Sequence, residues 1–119
     1  MTVKECYMEF GGDYKDVMAR MPDEEFVAEF LQEFLEDESF LILQKAMKSK
    51  SVASAFRGAH SLKGICQNFG YTKLYESSSI LTELLRAGSF TGTEEPMRQV
   101  SEDYQLMIRT IKKWMSTDE

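Results

Sequence analysis

The only histidine of the chain, His60, lies in a stretch whose residue types suit the handling of a phosphoryl group. A lysine follows three residues later and a glycine four residues later, at Lys63 and Gly64. Residues three and four apart share one face of a helix, so we expect all three on one surface. The lysine would place a positive charge beside the ring, and the glycine would leave open space there. This arrangement suits an imidazole that becomes negatively charged on accepting a phosphoryl group.

The surrounding segment, residues 51–70, has the pattern of a helix with one buried stripe. Its apolar residues recur at spacings of four and three; they are Ala55, Ala59, Leu62, Cys66 and Phe69. A helix turns about 100° per residue, so His60 lies roughly 140° from the centre of the stripe and should face water or a partner. The alternative is a surface histidine on an ordinary amphipathic helix, beside a glycine that costs about 1 kcal/mol relative to alanine. Geometry alone leaves both interpretations open.

The sequence AHSLKG at residues 59–64, followed by Gly70, resembles the signature of histidine-containing phosphotransfer (HPt) domains. The pattern of that family is a small residue, His, any residue, Leu, Lys and Gly, with a second glycine six residues on. The likeness extends from about Pro22 to the C-terminus as a run of amphipathic helices. It is closest in kind to the HPt domains of bacterial multistep phosphorelays and hybrid sensor kinases.

The resemblance implies that His60 is the phosphorylation site. It would accept a phosphoryl group from the aspartyl phosphate of a receiver domain and pass it to another receiver aspartate. The receiver would bring the Mg²⁺ ion, so no cofactor or metal is expected on this chain. The candidates to support the phosphate are Lys63, Gly64, Gln67 and Arg86. The alternative for Arg86 is a surface pair with an acidic side chain.

The next predicted helix, from about Thr72 to Ala87, should run antiparallel to the histidine helix because the joint at Gly70 is short. Counting outwards from residue 71 pairs Phe56 with Arg86, His60 with Thr82, and Lys63 with Ser79. Ser79 and Thr82 are therefore candidates to hold the non-reacting nitrogen of the imidazole. Some HPt domains have Glu or Gln at the position that aligns with Thr82, so threonine, which is shorter, departs from the pattern of the family. The alternatives are that Ser79, a bridging water or Glu83 takes its place, or that the histidine has no such partner.

Two apolar residues near the start of the histidine helix, Ala53 and Phe56, are candidates for docking a receiver. The alternative for Phe56 is a place at the edge of the core. A second function also stays open, in which the chain is a receiver-binding helical module that docks without phosphotransfer.

The whole chain has helical periodicity without strand alternation, which predicts an all-α fold. We expect an antiparallel four-helix bundle at residues 22–116 and a short N-terminal helical cap at residues 1–21. Together they would form a single domain of residues 1–119. Residues 23–49 are expected to form one long helix, because no glycine or proline interrupts them. The alternative is two helices, separated at residues 37–39.

Composition narrows the function classes. The chain has 119 residues, a net charge of −6 and a pI near 4.9, which argues against binding to nucleic acid or anionic membranes. The sequence contains no glycine-rich phosphate loop, so we do not expect the chain to phosphorylate itself from ATP. Its apolar runs are too short to span a bilayer, which predicts a cytoplasmic protein or the cytoplasmic part of a larger chain. The resemblance implies a monomeric phosphocarrier without an ATP site, and not an enzyme, which works with response-regulator receiver domains and a hybrid sensor kinase.

Overall fold

The computed structural model describes residues 1–116, so the last three residues of the predicted domain lie outside its described part. This part contains seven helices and no strand, in agreement with the predicted all-α fold. The helices are α1 (Val3–Phe10), α2 (Tyr14–Arg20), α3 (Glu24–Phe34), α4 (Ser39–Ser49), α5 (Val52–Phe69), α6 (Thr72–Arg86) and α7 (Glu94–Ser116).

The last four helices form the bundle, and each packs along the next one in the chain. Short joints between them require antiparallel neighbours. The ring of Phe40 on α4 stacks on Tyr104 of α7 with the ring centroids 4.0 Å apart, which links the first and last helices of the bundle. The apolar stripe predicted for residues 51–70 faces the core. Helix α5 buries Ala55, Ala59, Leu62 and Cys66, whereas Phe69 is only half-buried. Helix α6 buries a stripe of its own, formed by Leu74, Ser78, Leu81 and Leu85.

Residues of α1 and of the α1–α2 joint pack against the end of the bundle where α5 turns into α6. The Tyr7 hydroxyl donates a hydrogen bond of 2.6 Å to the Phe69 carbonyl, and the Asp13 amide donates one of 2.8 Å to the Gly70 carbonyl. Gly70 ends α5 with a φ of +69°, and a Cβ there would lie 3.0 Å from the Asp13 carbonyl oxygen. The second glycine of the HPt-like signature is therefore required by the fold.

The prediction of one long helix over residues 23–49 was wrong, and the alternative break at residues 37–39 is close to the truth. The amides of residues 35–37 donate to the carbonyls three residues before them, which tightens the chain and ends α3. The Asp37 carboxylate then accepts a hydrogen bond of 2.9 Å from the Ser39 amide, where α4 begins. An aspartate that bonds to the nearby backbone in this way competes with helix continuation, even without glycine or proline.

Candidate functional site

Helix α5 presents His60 to solvent because its opposite side is held in the core. Ala59 and Leu62, on either side of the histidine in sequence, are completely buried, whereas His60 is exposed. No hydrogen bond to a ring nitrogen of His60 is formed within residues 1–116. The imidazole is thus placed by the helix backbone and by ring packing, and its edge is open to a partner.

Phe56, one turn before His60, forms one wall of the site. The two ring centroids are 5.6 Å apart, and the rings are tilted by 38°. The guanidinium carbon of Arg86 lies 5.0 Å from the centroid of the Phe56 ring, within the range of a cation–π contact. The predicted opposition of Phe56 and Arg86 across the α5–α6 hairpin is therefore confirmed.

Two cations and one carboxylate lie beside this wall. Arg86 donates two hydrogen bonds of 3.1 Å to Glu83, from Nε to Oε1 and from Nη2 to Oε2. The Lys63 ammonium lies 3.9 Å from the same Oε2, across the hairpin. The Lys63 side chain is 24% exposed, and that of Glu83 is 58% exposed. Both predicted phosphate-supporting cations therefore share Glu83 as their partner.

The charges around Glu83 are coupled. The hydrogen bond from Arg86 lowers the pKa of Glu83, slight burial opposes this, and the positive charges of Arg86 and Lys63 lower it further. The same hydrogen bond raises the pKa of the Arg86 guanidinium. Glu83 is thus held ionised within electrostatic reach of the imidazole.

The sequence analysis offered Glu83 only as a substitute for Thr82 in holding the imidazole, and did not name it as the partner of Lys63 and Arg86. The available signal was its position three residues before Arg86, a spacing that favours an ion pair on a helix. The hairpin count placed Ser79 opposite Lys63, and the lysine instead pairs one turn further along α6.

The glycine beside the histidine is not required by the fold. A Cβ built on Gly64 would meet no atom within 4 Å, and this residue has no left-handed φ. Gly58, two turns earlier in α5, is different, because a Cβ there would lie 2.8 Å from the Leu43 amide nitrogen and 3.0 Å from its Cα. Gly58 therefore allows α4 and α5 to approach each other, whereas Gly64 leaves open space next to His60.

The two candidates for holding the imidazole have different environments. The Thr82 hydroxyl is buried and donates a hydrogen bond of 2.6 Å to the Ser78 carbonyl of its own helix. Ser79 carries the one buried side-chain polar atom without a hydrogen-bond partner in residues 1–116. Thr82 therefore uses its donor within α6, whereas the Ser79 hydroxyl still has both its donor and its acceptor capacity.

The remaining candidates lie on either side of His60 along α5. Gln67 is exposed one turn beyond Gly64, and its backbone carbonyl accepts a hydrogen bond of 3.3 Å from Arg20. Towards the other end of α5, a shallow groove of about 330 Å³ runs between α5 and the end of α6. It is lined by Val52, Ala53, Phe56, Leu85, Arg86 and Gly88. Both docking candidates therefore face one largely apolar groove next to the histidine.

Both cysteines are buried thiols away from this surface. Burial raises the pKa of Cys6 from 9.0 to about 12, and burial also raises the pKa of Cys66. In residues 1–116 there is no group of three or more His, Cys, Asp or Glu side chains that could hold a metal ion. None of the helices in this range is both long and apolar enough to cross a membrane.

Comparison with known proteins gives one match. The family model described as the Hpt domain matches residues 25–113, which include the whole α4–α6 region around His60. No curated protein and no solved structure matched the chain.

Proposed function

The chain belongs to the Hpt domain family, and on that premise we propose that it is a phosphorelay intermediate that carries a phosphoryl group on His60. Hpt domains are phosphocarrier modules of phosphorelays and interact with receiver domains. The observation that carries the proposal is the position of the only histidine. It is exposed within the matched region, with Lys63 and the open space at Gly64 one turn away.

The transfer step needs only a neutral imidazole and an aspartyl phosphate. The lone pair of Nε2 attacks phosphorus, the bond from phosphorus to the aspartyl oxygen breaks, and the electron pair leaves with the receiver carboxylate. The proton on Nδ1 stays on the ring, so the product is a phosphorylated imidazolium. When the group passes to a second receiver, the N–P bond breaks and a bond from phosphorus to the aspartyl oxygen of that receiver forms. The receiver supplies the Mg²⁺ that stabilises charge on the transferring oxygens.

The surrounding residues have separate parts in this proposal. Lys63 and Arg86 pair with the phosphoryl oxygens, and Gln67 is a further donor at the edge of the site. Gly64 leaves room for the phosphoryl group and for the approach of the receiver. Of the two candidates for holding Nδ1, Ser79 is the one that would be available, because its hydroxyl has no partner whereas that of Thr82 donates to the Ser78 carbonyl.

The groove beside Phe56 supports a docking role. Its lining is largely apolar and includes Ala53, and it opens next to the imidazole. A receiver that buries this groove would bring its aspartyl phosphate close to His60. Loss of water from the groove would add the apolar part of the binding free energy, at about 25 cal/mol per Å².

We further propose that residues 1–119 act as one domain in the cytoplasm, as a monomer, with a hybrid sensor kinase upstream. The contacts of α1 and the α1–α2 joint with the end of α5 support a single unit. Light scattering coupled to size-exclusion chromatography checks the monomer, and a single cooperative unfolding transition checks the domain.

The test is phosphoryl transfer from a panel of Asp-phosphorylated receiver domains. We compare the wild type with His60→Gln and with Ser61→Ala, an exposed neighbour that serves as the matched control. The expected label is labile in acid, stable in base, absent from His60→Gln and retained in Ser61→Ala. Label that persists in a folded His60→Gln protein would show that another residue is the carrier, which would overturn the proposal.

The alternative function is docking without transfer. It is favoured by one observation, namely that Thr82 bonds to its own helix and no residue of the described chain bonds to the imidazole nitrogens. A wild type that binds a phosphorylated receiver but takes no label would support this alternative.

A further inference from the structure

Glu83 pairs with Lys63 and Arg86, the two cations that could otherwise bind an anion beside His60. Its Oε1 accepts from Arg86 Nε and its Oε2 from Arg86 Nη2, both at 3.1 Å. Oε2 is also 3.9 Å from Lys63 Nζ. No second carboxylate pairs with Lys63 or Arg86 in residues 1–116. Both cations therefore share one carboxylate, which offsets one of their two positive charges.

We propose that Glu83 is a built-in counter-anion that competes with the phosphoryl group of phosphorylated His60 for Lys63 and Arg86, and so favours donation of the group. The inference rests on the proposed function and adds a residue that controls its equilibrium. Glu83 is a positioning residue, because it touches the cations and takes no part in the N–P or P–O bonds that form and break.

The competition follows from charge. A phosphoryl group carries close to two negative charges and pairs strongly with lysine and arginine. When it arrives on His60, it must either share Lys63 and Arg86 with Glu83 or displace that carboxylate. It also meets the negative charge of Glu83 itself, which lies within electrostatic reach of the His60 ring. Each effect raises the free energy of the phosphorylated protein relative to the unphosphorylated one.

Without phosphate, the same carboxylate stabilises the site. The contact of Arg86 with Glu83 keeps the guanidinium over the Phe56 ring, and Phe56 in turn packs against the imidazole. Glu83 therefore favours the empty state by ordering the cations and disfavours the loaded state by competing for them. A carrier that must release its phosphoryl group to a second receiver benefits from this difference.

The size of the effect is limited by water. The side chains of Glu83 and Arg86 are 58% and 52% exposed, so their charges are screened. Lys63, at 24% exposed, is the less screened of the two cations. We expect removal of the Glu83 charge to move the exchange equilibrium towards phosphorylated His60 by about three- to tenfold at low salt, and by less as salt increases.

The test is the equilibrium constant for exchange between a phosphorylated receiver and His60, measured for wild type, Glu83→Gln and Glu76→Gln. Glu76 is a matched control because it is exposed on the same face of α6, two turns away, and its replacement changes the net charge equally. We expect about a three- to tenfold shift in Glu83→Gln, and a shift below about twofold in Glu76→Gln. In a Lys63→Gln background, Glu83→Gln should have a smaller effect than in the wild type, because one of the contested cations is absent.

The outcomes separate the two proposals. If the wild type exchanges phosphate and Glu83→Gln shifts the equilibrium no more than Glu76→Gln, the counter-anion role is wrong and the phosphorelay function stands. Equal effects of Glu83→Gln with and without Lys63 would also contradict competition for that lysine. A wild type that binds receivers and takes no label on His60 would overturn both proposals.

Discussion

The strongest prediction concerns two glycines of the same helix. Gly58 and Gly64 are both inside α5, where an alanine is favoured over glycine by about 1 kcal/mol. A Cβ at Gly64 meets nothing within 4 Å, so Gly64→Ala should stabilise the fold by about 1 kcal/mol. For a chain of 119 residues, this corresponds to an increase in melting temperature of roughly 4 °C.

The same substitution at Gly58 should have the opposite effect on stability. The new Cβ would lie 2.8 Å from the Leu43 nitrogen and 3.0 Å from its Cα, and these backbone atoms cannot rotate away as a side-chain end can. Overpacking of this kind costs up to about 3 kcal/mol, so the expected net loss for Gly58→Ala is about 2 kcal/mol after the gain in helix propensity.

The effects on phosphoryl transfer should be the reverse of the effects on stability, with the larger loss at Gly64. Gly64→Leu fills the space beside His60 and should slow phosphoryl transfer by about tenfold or more, equivalent to about 1.4 kcal/mol in the barrier. Gly58→Ala should transfer at the wild-type rate per folded molecule, because it changes the α4–α5 contact and not the exposed face. Urea denaturation and single-turnover transfer are measured on each variant. A folded Gly64→Leu protein with normal transfer, or a Gly64→Ala protein less stable than Gly58→Ala, would refute the reasoning.

Three further predictions concern Tyr7, the two buried cysteines and Phe56. Tyr7→Phe removes the hydroxyl that donates to the Phe69 carbonyl and should lower the free energy of unfolding by about 1 kcal/mol in urea, without changing transfer. Because burial raises the pKa of Cys6 to about 12, and also that of Cys66, both thiols should resist alkylation at about pH 8 until urea unfolds the chain. The unfolded chain ionises these thiols first, so stability should fall as pH rises above about 9. Phe56→Ala should weaken receiver binding, seen by calorimetry, with unchanged helix content; undiminished affinity would argue against docking in the groove.

Much of the fold could be predicted because it depends on periodicity. The buried positions of α5 and α6 follow from apolar spacings of three and four, and the opposition of Phe56 and Arg86 follows from the short turn at Gly70. The same short turn is enough to predict that α5 and α6 pack antiparallel. The exposure of His60 follows from the same spacing, since it lies far from the buried stripe on the helical wheel.

The remainder depended on local hydrogen bonds that periodicity does not report. The sequence left the break between α3 and α4 as one of two alternatives, because no glycine or proline lies there. The hydrogen bond that the Ser39 amide donates to the Asp37 carboxylate decides in favour of the break. In the same way, Thr82 has the reach for more than one acceptor, and only the structure shows that it uses the Ser78 carbonyl. The pairing of Glu83 with Lys63 of α5 likewise depends on the register of the two helices, which counting from the turn does not give to better than one turn.

The charge at the site and the charge of the whole chain have opposite signs, and distance decides which one matters for transfer. The chain has a net charge of −6, which would repel a phosphoryl group. Charges farther from His60 than about 8 Å are largely screened at physiological ionic strength. The cations next to the ring are Lys63 and Arg86, and Glu83 offsets one of their two charges. Lys63 and Arg86 together exceed Glu83 by one positive charge. We therefore expect these three side chains, and not the net charge of the chain, to control transfer in both directions.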